Sequence, residues 1–155
     1  MGGLEHEVDV LRRIPLFGNV DPARLKLLAF TSERVSFGAG QELFHEGDTG
    51  DAAYVIIEGS VDILKDTSEG EALVVTLKKN AFVGDIAILC DVPRTATVRA
   101  VDKIETLKIM KEQFLRLLIE FPEMAVEVTR VLAQRLNTTT MELTDCREEV
   151  KKLSN

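Results

Sequence analysis

A chain of 155 residues, 45% hydrophobic and 29% charged, has the balance of an ordinary globular domain and enough length to bury one core without metals or disulfides. Its formal charge of −7 excludes a direct grip on a nucleic-acid backbone, which needs a basic surface, and no apolar run approaches the roughly 20 residues of a membrane segment. The opening MGGLEHEVDV is too acidic and broken for a signal peptide, and Cys90 and Cys146 are too far apart in sequence for a zinc knuckle or redox pair, so a cytoplasmic setting is expected.

In chain order, Glu5 to Arg13 and Asp21 to Ala29 read as short helices, the second with Asp21 as N-cap and Pro22 at the first helical position. Residues 1–34 therefore form an N-terminal helical segment. From Val35 the pattern changes to short apolar runs separated by turn chemistry such as FGAG, HEGDTGD, EGS and TSEGE. Candidate strands are Gln41–His45, Ala53–Ile57, Ser60–Lys65, Leu73–Leu77, Thr95–Val101 and Glu105–Met110. Strands at this spacing predict a closed or double-sheet β architecture over residues 35–110. At Lys111 the period changes again: Phe114, Leu117, Leu118 and Phe121 lie on one face of an amphipathic helix. Pro122 interrupts it and suits the first turn of a further helix through Leu153, about 45 Å long at 1.5 Å per residue. Residues 111–155 are thus a C-terminal helical unit. A helix of that length cannot bury itself wholly on a small β-domain. Its far half repeats Leu136, Thr139, Leu143, Cys146, Val150 and Leu153 in alternating steps of three and four, which predicts a heptad seam for a parallel homodimer through 136–153.

The stretch FVGDIAILCDVPRTATVRA, residues 82–100, holds the candidate chemistry. Gly84 and Asp85 open a short helix through Leu89, whose first N–H groups lack intrahelical partners and favour an anion. Arg94 supplies a permanently charged fork suited to two phosphate oxygens. Beside a phosphate, the Asp85 carboxylate needs a donor, and a ribose 2′-OH is one. One carboxylate and one arginine fit a compact ribose phosphate better than a triphosphate; GxxxxGK[ST] and GxGxxG loops are both absent. Read from the residues alone, an Asp and an Arg flanking a buried helix are more often a salt bridge than a ligand site.

These residues resemble the phosphate-binding cassette of the cyclic nucleotide-binding domain family: a Gly-acidic pair, a short apolar helix, then Pro-Arg-Thr-Ala before a strand. The likeness runs from Leu11 to about Met141 and includes RIPLF and LFHEGDTGDAAYVIIEGSVDIL. It implies a mainly β fold, a double-stranded β-helix or jelly-roll β-roll, with N-terminal helices and a long C-terminal helix. It also implies a cyclic nucleotide ligand, with Arg94 on the phosphate, Thr95 and Ala96 adding hydroxyl or backbone donors, and Asp85 on the 2′-OH. Gly84, Ile86 and Ala87 would contribute backbone contacts. Val83 before Gly84 is similar to the catabolite-activator branch. Asp85 departs from the Glu common in the family, which retracts the carboxylate by about one C–C bond and leaves room for a bridging water. RLNTTTME resembles the segment of that branch where two hydroxyl residues reach the purine, one from each subunit; Thr139 and Thr140 hold those positions. The ligand implied is cAMP, with Thr95 also compatible with cGMP.

Catalysis finds little support: His6 and His45, the two histidines, sit in no triad or metal pattern, and EGDTGDAA lacks calcium-loop spacing. The expected function is a non-catalytic regulatory module that binds a cyclic nucleotide and signals through its C-terminal helices. The alternative is a degenerate member of the fold acting as a ligand-free dimerisation module. The chain ends where catabolite-activator relatives would begin a helix-turn-helix, so output is expected from a partner or from a domain beyond this chain.

Overall fold

The computed structural model describes residues 3–154. Helix α1 (Gly3–Arg12), a 3-10 turn (Pro15–Phe17) and α2 (Pro22–Thr31) precede strands β1 (Glu33–Phe37), β2 (Glu42–Phe44), β3 (Ala52–Glu58), β4 (Val61–Thr67), β5 (Gly70–Leu77) and β6 (Phe82–Val83). Then come α3 (Asp85–Cys90), β7 (Thr97–Ala100), β8 (Ile104–Met110), α4 (Lys111–Glu120) and α5 (Pro122–Ser154). The strands form two four-stranded antiparallel sheets, ordered β1-β8-β3-β6 and β2-β7-β4-β5. This is the expected β-roll, with helices before it and a long helix after it.

Strand β3 explains why the molecule has two cores. Its sequence AAYVIIE is buried at every position but the last, the signature of a strand covered on both faces. Ala53, Val55 and Ile57 pack with Leu11, Phe17, Leu25, Leu28 and Phe114 of the helical layer. Tyr54 and Ile56, pointing the other way, join Val61, Val83, Val98 and Ile104 inside the roll. β3 is therefore the wall between helices and roll.

At the start of α2, the Asp21 carboxylate accepts from the Ala23 N–H at 2.9 Å, with Pro22 behind it, as its sequence predicts. At the other end of the chain, α5 docks Met124 and Val128 into the helical core, and from Ala133 to Leu153 its side chains are exposed. Its 33 residues span about 50 Å, so the helix projects beyond the domain. No described helix is long and apolar enough to cross a membrane.

Two strands were not expected. β1 is short and charged, ERVSF, and exists because β8 pairs along it from Glu33↔Lys108 to Phe37↔Ile104. β6 has two residues and is defined by pairing with Tyr54 and Val55. Partners at long range made both, not local propensity. β7 begins at Thr97 instead of Thr95, because the backbone of Arg94 is drawn aside to bond the loop after β2.

The cassette is anchored to the helical layer by three rings. Phe82 of β6 lies 5.5 Å from Phe17 and 6.3 Å from Phe114 of α4, and Phe17 lies 6.0 Å from Phe114. Removing Phe114, which is fully buried, leaves a cavity under both partners. Phe114→Ala is expected to lower unfolding free energy by about 3–5 kcal/mol in a denaturant titration; a loss below about 1 kcal/mol would show that the ring cluster does not anchor the cassette.

Candidate functional site

At the end of β6 the chain turns through Gly84, at φ 89° and ψ 7°, into α3. That left-handed conformation favours glycine, and the space does too, since a Cβ there would lie 2.6 Å from Arg94 Nη1. Across the site a Cβ on Gly50 would meet the Ala87 Cβ at 2.4 Å and Arg94 Nε at 3.1 Å. Two glycines thus let three backbone segments close on one arginine.

Arg94 is only 4% exposed. Its backbone N–H donates to Asp48 O at 2.8 Å and its carbonyl accepts from Gly47 N–H at 2.9 Å. The side chain donates through Nη2 to Ala52 O at 2.5 Å and through Nη1 to Gly84 O at 3.3 Å. Its Cζ stands 3.9 Å above the centre of the Phe44 ring. The Nε–H is buried with no partner, an arrangement that costs free energy unless a ligand completes it. Burial lowers the pKa of this guanidinium below its ordinary value, against the opposing pull of Tyr54, Asp51 and Asp48; an arginine so shifted remains a cation at neutral pH.

Asp85, 6% exposed, does not pair with Arg94. Its Oδ2 accepts from Arg135 Nη1 at 2.8 Å, so an arginine of α5 reaches back to the start of α3. At the far end of α3, Asp91 accepts from Lys111 Nζ at 2.6 Å, which ties the helix to the first residue of α4. The salt bridge read between Asp85 and Arg94 is thus replaced by pairs joining α3 to both C-terminal helices.

Asp85 and Arg94 line a cleft of about 260 Å³. Gly84, Asp85, Ile86, Ala87, Arg94, Thr95 and Ala96 all border it, and Phe44, Ile63, Val75, Leu77, Phe82, Val83 and Val98 complete the wall. The lining thus sets one guanidinium and one carboxylate among mostly apolar side chains. Thr139 and Thr140 lie on the exposed part of α5 and are not among the lining residues. Arg135, Phe44 and Ala52 were missed from sequence. Arg135 alone left a signal there: it stands four residues before Thr139, on the same helical face.

The loop gripping Arg94 is itself braced. Glu46 N–H donates to Thr97 Oγ1 at 2.9 Å, and His45 Nδ1 lies 2.9 Å from Glu42 Oε1 and 3.3 Å from Thr97 Oγ1. Lys65 Nζ donates to Thr95 O at 2.6 Å. His6 sits on α1, exposed and outside the cleft.

Residues 34–121 match the family described as the cyclic nucleotide-binding domain. The chain is 28% identical over 138 residues to a CRP-like cAMP-activated global transcriptional regulator of Mycobacterium tuberculosis, covering 88% of this chain and 62% of that protein. Among solved structures, the N-terminal domain of a transcriptional regulator from Streptomyces coelicolor A3(2) matches at 34% identity with a TM-score of 0.73, covering 84% of this chain and 94% of that one. The regulatory subunit of a cAMP-independent protein kinase A from Trypanosoma brucei matches at 26% identity with a TM-score of 0.72, covering 87% and 49%. The chain therefore spans less than two thirds of the mycobacterial regulator and about half of the kinase subunit.

His45 makes the brace pH-dependent. The hydrogen bond to Glu42 raises its pKa above the ordinary 6.5, and the charges of Glu42, Asp66 and Asp48 add to this. The folded state holds the proton more tightly than the unfolded chain, so the contribution is complete below the unfolded pKa and is lost as pH rises through the folded one. Chemical denaturation should therefore find wild type more stable than His45→Gln at about pH 5.5, with the gap narrowing by about pH 9. A gap that widens with pH would overturn this reading.

Proposed function

The chain belongs to the cyclic nucleotide-binding domain family, and from that premise we propose that it is a non-catalytic, cytoplasmic regulatory module whose ligand is a cyclic nucleotide, cAMP ahead of cGMP. The observation that carries the reading is Arg94: a buried cation with an unsatisfied Nε–H in a cleft lined otherwise mostly by apolar side chains, both aliphatic and aromatic. A single phosphate beside it would complete the guanidinium's donors and gain charge-assisted bonds. A triphosphate would bring more charge than one arginine balances. The apolar lining suits the flat, weakly polar faces of a nucleoside.

Asp85 then meets the ribose. Arg135 occupies Oδ2, and Oδ1 is left to accept from the 2′-OH, directly or through a water that makes up for the short side chain. The same ion pair offers the output route, because any ligand that moves Asp85 also acts on Arg135 and hence on α5. Along the exposed part of that helix, Leu136, Leu143, Val150 and Leu153 would pair with the equivalent residues of a second copy. Thr139 and Thr140, outside the lining of their own chain's cleft, would then read the base, Thr140 across the dimer. This reading assigns the chain no direct contact with nucleic acid.

A second reading has its own support. Nη1 and Nη2 of Arg94 each already donate to a carbonyl, and Asp85 Oδ2 already accepts from Arg135, so the site is partly self-contained; the similar trypanosome chain is the regulatory subunit of a kinase described as cAMP-independent. On this reading the module is a ligand-free dimerisation element.

Titration calorimetry with cAMP and cGMP separates the two. On the first reading the wild type binds, and Arg94→Ala loses about 1.5–3 kcal/mol, roughly one to two orders of magnitude in Kd, while remaining folded. Heatless titrations of the wild type with both nucleotides, backed by equilibrium dialysis, would favour the ligand-free reading. For the dimer, sedimentation velocity at micromolar protein with saturating cAMP should give a dimer, and Leu143→Asp should both dissociate it and weaken cAMP, since linkage is reciprocal. A monomer in saturating cAMP would remove α5 from the recognition scheme.

A further inference from the structure

We propose that Phe44 is the positioning residue of the phosphate seat: its ring holds the Arg94 guanidinium in the plane from which the cation meets its ligand. The proposal rests on the cyclic nucleotide reading for its ligand and on geometry alone for the pairing. Arg94 Cζ lies 3.9 Å from the ring centre, well inside the distance at which a cation is attracted to an aromatic face. All the donors of a guanidinium lie in its own plane, so a ring on its face takes none of them. The two in-plane bonds, to Ala52 O at 2.5 Å and Gly84 O at 3.3 Å, resist in-plane rotation, but the second is long. Tilting out of that plane is opposed by the ring.

The local backbone is shaped to deliver Phe44 there. Glu42 pairs with Arg99, and a regular antiparallel strand would then pair residue 44 with Thr97; instead Phe44 pairs with Val98, across a register shift. Such an irregularity re-aims a side chain. Consecutive residues of a regular strand face opposite sides, yet Leu43 and Phe44 both pack against the interior of the roll. Tyr54 supports the ring from 6.2 Å, and Phe37 supports Tyr54 from 5.9 Å in an edge-on contact. A buried cation that has lost its hydration gains most from such a face, and burial does depress the Arg94 pKa. An aliphatic residue at position 44 would fill part of the volume and leave the face without that attraction.

The test combines a ligand-free measurement with a double-mutant cycle. In the ligand-free protein, NMR of the Arg94 side chain should show slow rotation about Nε–Cζ in wild type and in Phe44→Trp, and faster rotation in Phe44→Leu. Calorimetry should find Kd for cAMP about three- to tenfold weaker in Phe44→Leu and within about twofold of wild type in Phe44→Trp. In an Arg94→Gln background, followed by NMR titration at millimolar cAMP, Phe44→Leu should change the affinity by less than about twofold, because no cation remains to be positioned. An equal loss in both backgrounds would make Phe44 a plain wall of the cleft and overturn the proposal, as would a rotation rate that Phe44→Leu leaves unchanged. Absence of cAMP binding by the wild type would sink the ligand assignment instead, and the rotation rates would still decide the role of Phe44.

Discussion

Enclosing one guanidinium is the constraint around which the rest of the site is arranged. Arg94 is nearly inaccessible, and a charge in that position must be paired, bonded or both. The protein does this without a carboxylate on the side chain. Carbonyls of Ala52 and Gly84 and the face of Phe44 converge on the guanidinium, while Gly47 and Asp48 hold the backbone of the same residue. Each contact comes from a different segment, so the loop after β2, the start of β3 and the turn into α3 have to meet at one point. Gly84 is required there because a Cβ would occupy space the arginine needs, and Gly50 because a Cβ would run into Ala87. With no carboxylate engaged, the net positive charge of the group stays available to an anion.

The same point is mechanically connected to the helices. β3 carries Ala52 at one end and presents Ala53, Val55 and Ile57 to the helical layer. β6, just before Gly84, packs Phe82 against both Phe17 and Phe114. The six residues of α3 are held by Arg135 of α5 at the first residue and by Lys111 of α4 just past the last. The first of these pairs shares the carboxylate that lines the cleft, whereas the second lies outside it. A displacement of Asp85 would therefore be felt in α5 while the other end of α3 stays fixed, giving the short helix the geometry of a lever.

Much of the fold was legible because its signals are local. The turn clusters between short apolar runs marked the roll, Asp21 and Pro22 marked the start of α2, and the change of period at Lys111 marked the last helices. β1 and β6 were not legible. ERVSF has too little apolar character to declare itself, and two residues cannot carry a pattern; both are strands only through pairing with β8 and β3. The irregularity in β2 was equally hidden, since nothing in ELFHEG shows that Leu43 and Phe44 face the same side.

For the site, the sequence by itself determined the stretch from Gly84 to Ala96, because those groups are close in the chain and a short helix followed by a turn is enough to bring them to one cleft. It also determined that the last helix is too long for the domain beneath it. Only the tertiary structure decided which charges meet. Asp85 and Arg94 are near neighbours in sequence with complementary charge, yet Asp85 takes Arg135 and Arg94 takes two carbonyls and a ring. The reason is physical: a buried charge is matched by whatever the packed chain brings within hydrogen-bonding reach, and the packing of α5 and β2 against the roll is a sum of many weak contacts that no local spacing encodes.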